Sequence, residues 1–291
     1  MDSENVENLP VEKKSGGWSR KSFKNEAKAL LKGNWKVPVL STLVITAISL
    51  VFLGIFYPWE FIFNQNFVNN AFFYVRLALY CLGCFTLFPI IMYVTIFFHN
   101  QIKLNKENTT FTTFYSGFKQ WKKGLLGFLW QYLWLFLWMM LFIVFTGILV
   151  ALLILISEFL GKINTQAEKI SSLFAAIIPL IVYFFVFKKY YSYSMQMYLL
   201  ADNPNLGVKK ALTLSKLITN GYKWKLFVLD LSFIGWYLLG MLSLGIGFLW
   251  IGPYWSITRI NAYHFIKTDA LAKGIIKPED FSVNPDKVSD N

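Results

Sequence analysis

The chain has 291 residues, of which 56% are hydrophobic, 19% aromatic and only 15% charged. A soluble globular domain carries about 25% charged residues, and several apolar runs here exceed the ~20 residues that cross a bilayer, so the pattern is that of a polytopic all-α membrane protein. The net charge of +12 comes with no nucleic-acid reader motif; the expected partner of the basic residues is an anionic inner leaflet, with no nucleic acid.

Residues 1–17 read as a disordered polar tail with no cleavable signal, so the first apolar run is expected to be a retained span. Residues 18–33 read as a basic amphipathic helix. Phe23, Ala27, Leu30 and Leu31 share one face, and Arg20, Lys21, Lys24, Lys28 and Lys32 surround the rest, as in a helix lying on an anionic leaflet. Gly33 ends it, and Trp35 and Lys36 stand where an interfacial anchor belongs. Span one covers about 37–57, and an aromatic loop over 58–70 leads to span two at about 71–98. Cys81 and Cys84 lie within span two, which excludes a disulfide framework; with no His nearby in sequence, they are expected to pack rather than bind metal.

A polar stretch over 103–123 holds a second short amphipathic segment, Phe111 to Phe118, and then Trp121 and Lys122. Span three, about 125–156, is longer than a bilayer requires and carries a Trp130, Trp134, Trp138 stripe at helical spacing, expected to face lipid or a packed helix. Span four covers about 170–190. Asp202-Asn-Pro-Asn is a helix-start signal, and 207–220 form a third amphipathic helix with Val208, Ala211, Leu212, Leu217 and Ile218 on one face. Asn220-Gly221 stops it before Trp224 and Lys225. Span five covers about 225–243, a tight turn follows at 244–247, span six covers about 247–266, and 267–291 form a polar tail. His99 and His264 are expected as interfacial side chains at span ends.

The basic residues set the expected orientation. Of the 28 Lys and Arg, eight precede span one, five separate spans two and three, seven separate spans four and five counting from Lys188, and five lie from Arg259 onward. Lys162, Lys169 and Arg76 alone remain for the other side. This asymmetry predicts six spans with both termini cytoplasmic. The expected fold is therefore three hairpins of transmembrane helices, with amphipathic helices at the cytoplasmic face. A threefold repeat underlies it: an amphipathic segment, a glycine, a Trp-Lys pair and a hairpin whose second span holds a proline (Pro89, Pro179, Pro253). The alternative is that Trp-Lys pairs are simply what membrane entrances contain.

Asp230 is an acid inside span five. It lies fifteen residues before the turn centred near Gly245, and Arg259 lies fourteen after it. On antiparallel helices both fall about 22 Å from the turn, so an ion pair is expected, either a clamp between spans or part of a proton or ion relay. Lys188 and Lys189 are boundary residues if span four ends there, and line a polar path if the helix runs on. The three prolines are kinks that a packed bundle tolerates or that open a binding site. No catalytic motif is present, and neither a cofactor nor a metal is expected.

Tyr190-Tyr-Ser-Tyr-Ser-Met, then Leu199-Leu-Ala-Asp-Asn-Pro, and the run from Gly221-Tyr-Lys-Trp-Lys-Leu through Asp230 to Trp236-Tyr-Leu-Leu resemble domain-of-unknown-function family 975. Weaker likeness extends to Ala27-Lys-Ala-Leu-Leu-Lys-Gly-Asn-Trp and Phe114-Tyr-Ser-Gly-Phe. The family carries Pro-Gly before the tyrosine motif, whereas here Pro179 is followed by Leu180 and lies farther upstream, which leaves two registers for span four. The resemblance implies a polytopic protein of the bacterial cytoplasmic membrane and transfers no reaction, ligand or catalytic residue. The leading expectation is a non-enzymatic scaffold or accessory subunit in export, envelope maintenance or resistance to a membrane-active peptide, working with a membrane-protein partner or as a homo-oligomer. The alternatives are a small-solute or ion transporter or channel using Asp230, Arg259, Lys188 and Lys189, and an intramembrane lipid enzyme.

Overall fold

The computed structural model describes residues 17–57, 71–104, 110–161, 183–203 and 205–281. Every regular element among them is helical. The loop expected at 58–70, the outer lysines Lys162 and Lys169, Pro179 and the first part of span four lie outside the described residues.

Helix α1 (Arg20–Leu31) opens on Ser19, whose side chain accepts from Ser22 N–H at 3.3 Å and satisfies one of the first-turn donors. Phe23, Ala27 and Leu31, spaced four apart, form its buried face. That face packs on the protein's own last long helix rather than standing open for lipid, and the basic face is left outward. Helix α2 (Lys36–Phe56) tolerates Pro38 because the residue lies in the first turn, where the missing N–H has no helical partner.

Helix α3 (Ala71–Leu104) changes character at Pro89. Before it, Phe72, Leu82, Phe85 and Phe88 are exposed; after it, Tyr93, Val94, Phe98, His99 and Asn100 are buried. Helix α4 (Phe111–Ser116) and a 3-10 turn (Gly117–Gln120) lead into α5 (Trp121–Gly161), whose 41 residues extend about 60 Å, twice the ~30 Å hydrocarbon thickness. Only its beginning, around Gly127, Phe128 and Gln131, is packed inside; the rest presents Leu, Ile, Phe and Met outward.

Helix α6 spans 183–193, and a turn at Ser194–Met195 joins it to α7 (Gln196–Asp202), buried from Gln196 to Ala201. Helix α8 (Val208–Ile218) buries Ala211, Leu212, Leu214, Ser215 and Ile218. Leu217, expected on that face, is exposed; Leu214 and Ser215 take its place. The hydroxyl explains this: Ser215 Oγ donates to Ser192 O at 3.0 Å and accepts from Met195 N–H at 3.2 Å, tying α8 to the α6–α7 turn.

Span five, expected as one helix, is two: α9 (Lys223–Leu231) and α10 (Ile234–Leu242). The break has a chemical cause. Ser232 Oγ bonds back to Leu229 O at 2.6 Å, and Ser232 O accepts Lys24 Nζ from α1 at 2.9 Å, so this carbonyl serves a lysine and the helical ladder resumes only with Tyr237 N to Phe233 O. A turn with Leu244 and Gly245 at positive φ (54° and 91°) then reverses the chain into α11 (Phe248–Ala272).

Among the described residues four stretches are long and apolar enough to cross a membrane: Lys36–Phe56, Phe72–Leu104, Phe111–Ile156 and Lys223–Leu242. Helix α11, where span six was expected, is not one of them. It is long enough, but Arg259, Asn261, His264 and Lys267 make it polar, and among the described residues it is the most buried long helix. It forms the axis of the core, against α1, α2, α3, α8 and α10. Two apolar clusters flank it. One joins Tyr93 and Phe97 to α7, α8 and Ile260–Ile266; the other joins α1, Phe98 and Phe114 to Phe233, Tyr254 and Ile257.

Candidate functional site: a polar seam along the buried helix

A helix with polar side chains in a dry core needs a partner for each of them. On α11 the partners come from four different helices. Nearest the turn, Asp230 of α9 accepts from Arg259 Nη1 at 2.5 Å, from Tyr191 Oη of α6 at 3.1 Å and from Trp255 Nε1 at 3.2 Å. Arg259 is 4% exposed, and its guanidinium also lies over the rings of Tyr198 and Trp255. The structure thus brings Asp230 and Arg259 together and adds two aromatic donors that spacing alone did not single out. Ion pairing and ring contact together suit arginine better than lysine.

Next to Trp255, Ser256 Oγ and His99 Nδ1 of α3 are hydrogen-bonded at 2.8 Å. Asn261 then bridges two helices: its Nδ2 donates to Phe23 O of α1 at 3.0 Å, and its Oδ1 accepts Lys103 Nζ of α3 at 2.7 Å. At the far end Asp202, the last residue of α7, accepts from Tyr263 Oη at 2.8 Å, from Lys267 Nζ at 2.5 Å and from Asn100 Nδ2 at 3.4 Å, while His264 Nε2 donates to Asn100 Oδ1 at 2.8 Å. Burial alone would raise the Asp202 carboxyl; the Lys267 and His264 side chains and the hydrogen bonds overcome it and hold the acid below its usual 3.8.

His99 is therefore a core group, 1% exposed, while His264 is half-buried beside Asn100. The sequence reading placed them at helix ends without seeing that α3 and α11 meet along those ends. Asp202 was read only as a helix-start signal. Its position at the end of the apolar Tyr198-Leu-Leu-Ala run was the available sign that it would be buried.

Lys188 and Lys189 sit on α6, outside the seam. Lys189 Nζ lies 3.7 Å from the Trp138 ring centroid, and Lys188 is exposed beside Phe184. The tryptophan stripe of α5 is in fact a cation ladder: Lys209 stands over Trp130, Lys216 over Trp134 and Lys189 over Trp138. Each Trp-Lys pair falls at a helix start. Trp35 precedes Lys36 at the head of α2, Trp121 and Lys122 open α5, and Trp224 and Lys225 lie in the first turn of α9. Trp121 and Trp224 are exposed, whereas Trp35 is partly buried against the second apolar cluster. Pro89 and Pro253 both lie inside helices, with Pro253 buried in α11. Among the described residues no group of three or more His, Cys, Asp or Glu side chains is placed to hold a metal ion.

A family model described as "Protein of unknown function (DUF975)" matches residues 18–270. The chain belongs to this family. No curated protein and no solved structure matches it. The DUF975 match begins at Trp18, which packs edge-on against Phe23 and Phe265, and ends at Ala270, the last buried residue of α11. Every seam residue falls inside it, so the seam belongs to the DUF975 unit rather than to an appendage.

Proposed function

We propose that this DUF975 protein is a non-enzymatic scaffold or accessory subunit of a bacterial cytoplasmic membrane, with both termini cytoplasmic and six spans in three hairpins, the sixth being the polar α11, which the helices packed around it screen from lipid. The observation that carries the reading is the seam. Helix α11 ties itself through charged and polar side chains to α1, α3, α7 and α9, giving a fixed core from which long apolar helices extend. A rigid centre with apolar arms offers lipid-facing surface to a second membrane protein or a second copy. The partner's identity would tell export from envelope maintenance or peptide resistance. Co-purification of the full chain in mild detergent tests this: a stoichiometric partner or a defined oligomer is expected, and a lone monomer overturns it. Reporter fusions at the C-terminus and within 58–70 test the orientation; they should report opposite sides.

A second reading, a transporter or channel, is favoured by one observation. Arg259 Nε, a donor, and His99 Nε2, a donor or acceptor by tautomer, are buried without a hydrogen-bond partner among the described residues, so a water or small solute has polar groups to meet beside the seam. A solute-dependent rise in melting temperature that Arg259→Met abolishes would move the assignment to transport.

A further inference from the structure

An open groove of about 560 Å³ lies between the basic face of α1 and the break separating α9 from α10. Arg20, Lys21, Lys24 and Lys28 line it, and among the described residues no carboxylate does. Glu26, the one acid of α1, lies instead near Lys103, at 3.7 Å. Lys24 is held in place by its bond to Ser232 O and lies 4.3 Å from the Phe233 ring centroid; Lys28 lies 5.7 Å from that of Tyr254. Burial, and then the charges of Arg20 and Lys28, push the Lys24 ammonium below its usual 10.5. These cations repel one another with no acid between them, an arrangement that a bound anion relieves.

On one side the groove borders apolar surface. Trp236 belongs both to its lining and to α10, whose Leu239 and Leu242 are 58% and 81% exposed. A small soluble anion has use for the cations but not for this apolar wall. A molecule with a phosphate at one end and acyl chains at the other uses both.

We propose that the groove is a headgroup site for an anionic glycerophospholipid, its phosphate among Arg20, Lys24 and Lys28 and its chains along α10. The break in span five then has a purpose: it presents Ser232 and Trp236 to the headgroup at the level of α1. The inference rests on reading the chain as membrane-embedded, and release of the protein from membranes by alkaline carbonate would refute that reading, not the site.

Native mass spectrometry of the full chain in mild detergent tests the site, with phosphatidylglycerol, phosphatidylcholine and inorganic phosphate added separately. Retained phosphatidylglycerol is expected to exceed phosphatidylcholine. Arg20→Gln/Lys28→Gln spares the Lys24–Ser232 bond and should lower retention roughly thirtyfold, since each basic residue contributes about 1 kcal/mol to anionic-lipid attraction. Lys119→Gln/Lys277→Gln, with the same charge change elsewhere, should not. Equal retention of the two lipids, or equal loss in both variants, overturns the site. Stabilisation by inorganic phosphate matching that by phosphatidylglycerol overturns the lipid assignment in favour of a small anion. If the double variant does not fold, the thermal shifts of the unaltered chain with each lipid decide between the same outcomes.

Discussion

Arg259 and Asp230 stand on antiparallel neighbours and meet at 2.5 Å, with the arginine almost wholly buried and the aspartate less so. Losing one partner of such a pair leaves an uncompensated buried charge, at a cost of about 3–5 kcal/mol, whereas replacing both by apolar groups is often close to neutral. Asp230→Asn should therefore lower the melting temperature in detergent sharply, and Asp230→Leu/Arg259→Met should recover most of the loss. That recovery defines a clamp. A double variant that melts like the original chain but loses a solute-dependent response would identify a relay instead.

Asp202 gives a pH dependence whose sign is fixed by its surroundings. Its carboxyl is held below the usual 3.8, against the effect of burial, by Lys267, His264 and the hydrogen bonds to it. A carboxylate with a depressed folded pKa contributes stability that is fully present above its unfolded value and is lost as pH falls through the folded one. The melting temperature should stay level with respect to this group from neutrality to just above pH 4 and decline below about 3.8. Asp202→Asn should start lower, by roughly 1.5–3 kcal/mol for a hydrogen bond to a charged group, and should not show that share of the acid decline. A variant with an unchanged acid limb would place the dependence on another carboxylate.

What the sequence made legible follows from how local each signal is. Arg259 facing Asp230 needed only a turn position and a rise per residue, because the two lie on one hairpin. The apolar runs needed only length. The seam needed more: Asn261 reaches the Phe23 carbonyl, 238 residues away in sequence, and no periodicity carries that distance. The break in span five was invisible for the same reason, since it depends on Lys24 reaching Ser232 from α1. The basic helix α1 was read as amphipathic, but hydrophobic spacing cannot say whether an apolar face meets lipid or protein. Here Ala27 and Leu31 are fully buried against the protein itself.

The ladder on α5 ties the fate of Lys189 to Trp138. At 3.7 Å from the ring centroid, the ammonium is close enough for a cation–π attraction of about 0.5–2 kcal/mol. Trp138 Nε1 also donates to Tyr193 Oη at 3.1 Å, so the ring is held from two sides. A double-mutant cycle of Lys189→Met and Trp138→Leu, read by thermal unfolding in detergent, should give a coupling of about 1 kcal/mol. A coupling near zero would free Lys189 for a role on a polar path.

Gly33 and Gly221 share one backbone conformation, φ +83°, each closing an amphipathic helix two or three residues before a tryptophan. In the second copy of the motif, Gly117 is helical, and a Cβ there would meet Phe97 at 3.1 Å and Val94 at 3.2 Å. The three glycines thus stand where they do for two different reasons. Nothing lies within 4 Å of a Cβ built at Gly33 or Gly221, so an alanine there suffers only the left-handed backbone, about 1–2 kcal/mol. Asparagine, which tolerates that region, should suffer less. At Gly117 the order reverses: alanine must push α3 aside, and the larger asparagine should destabilise more. Melting temperatures of the six single variants check this, and asparagine ranking above alanine at all three sites would show that the second copy is a turn like the others.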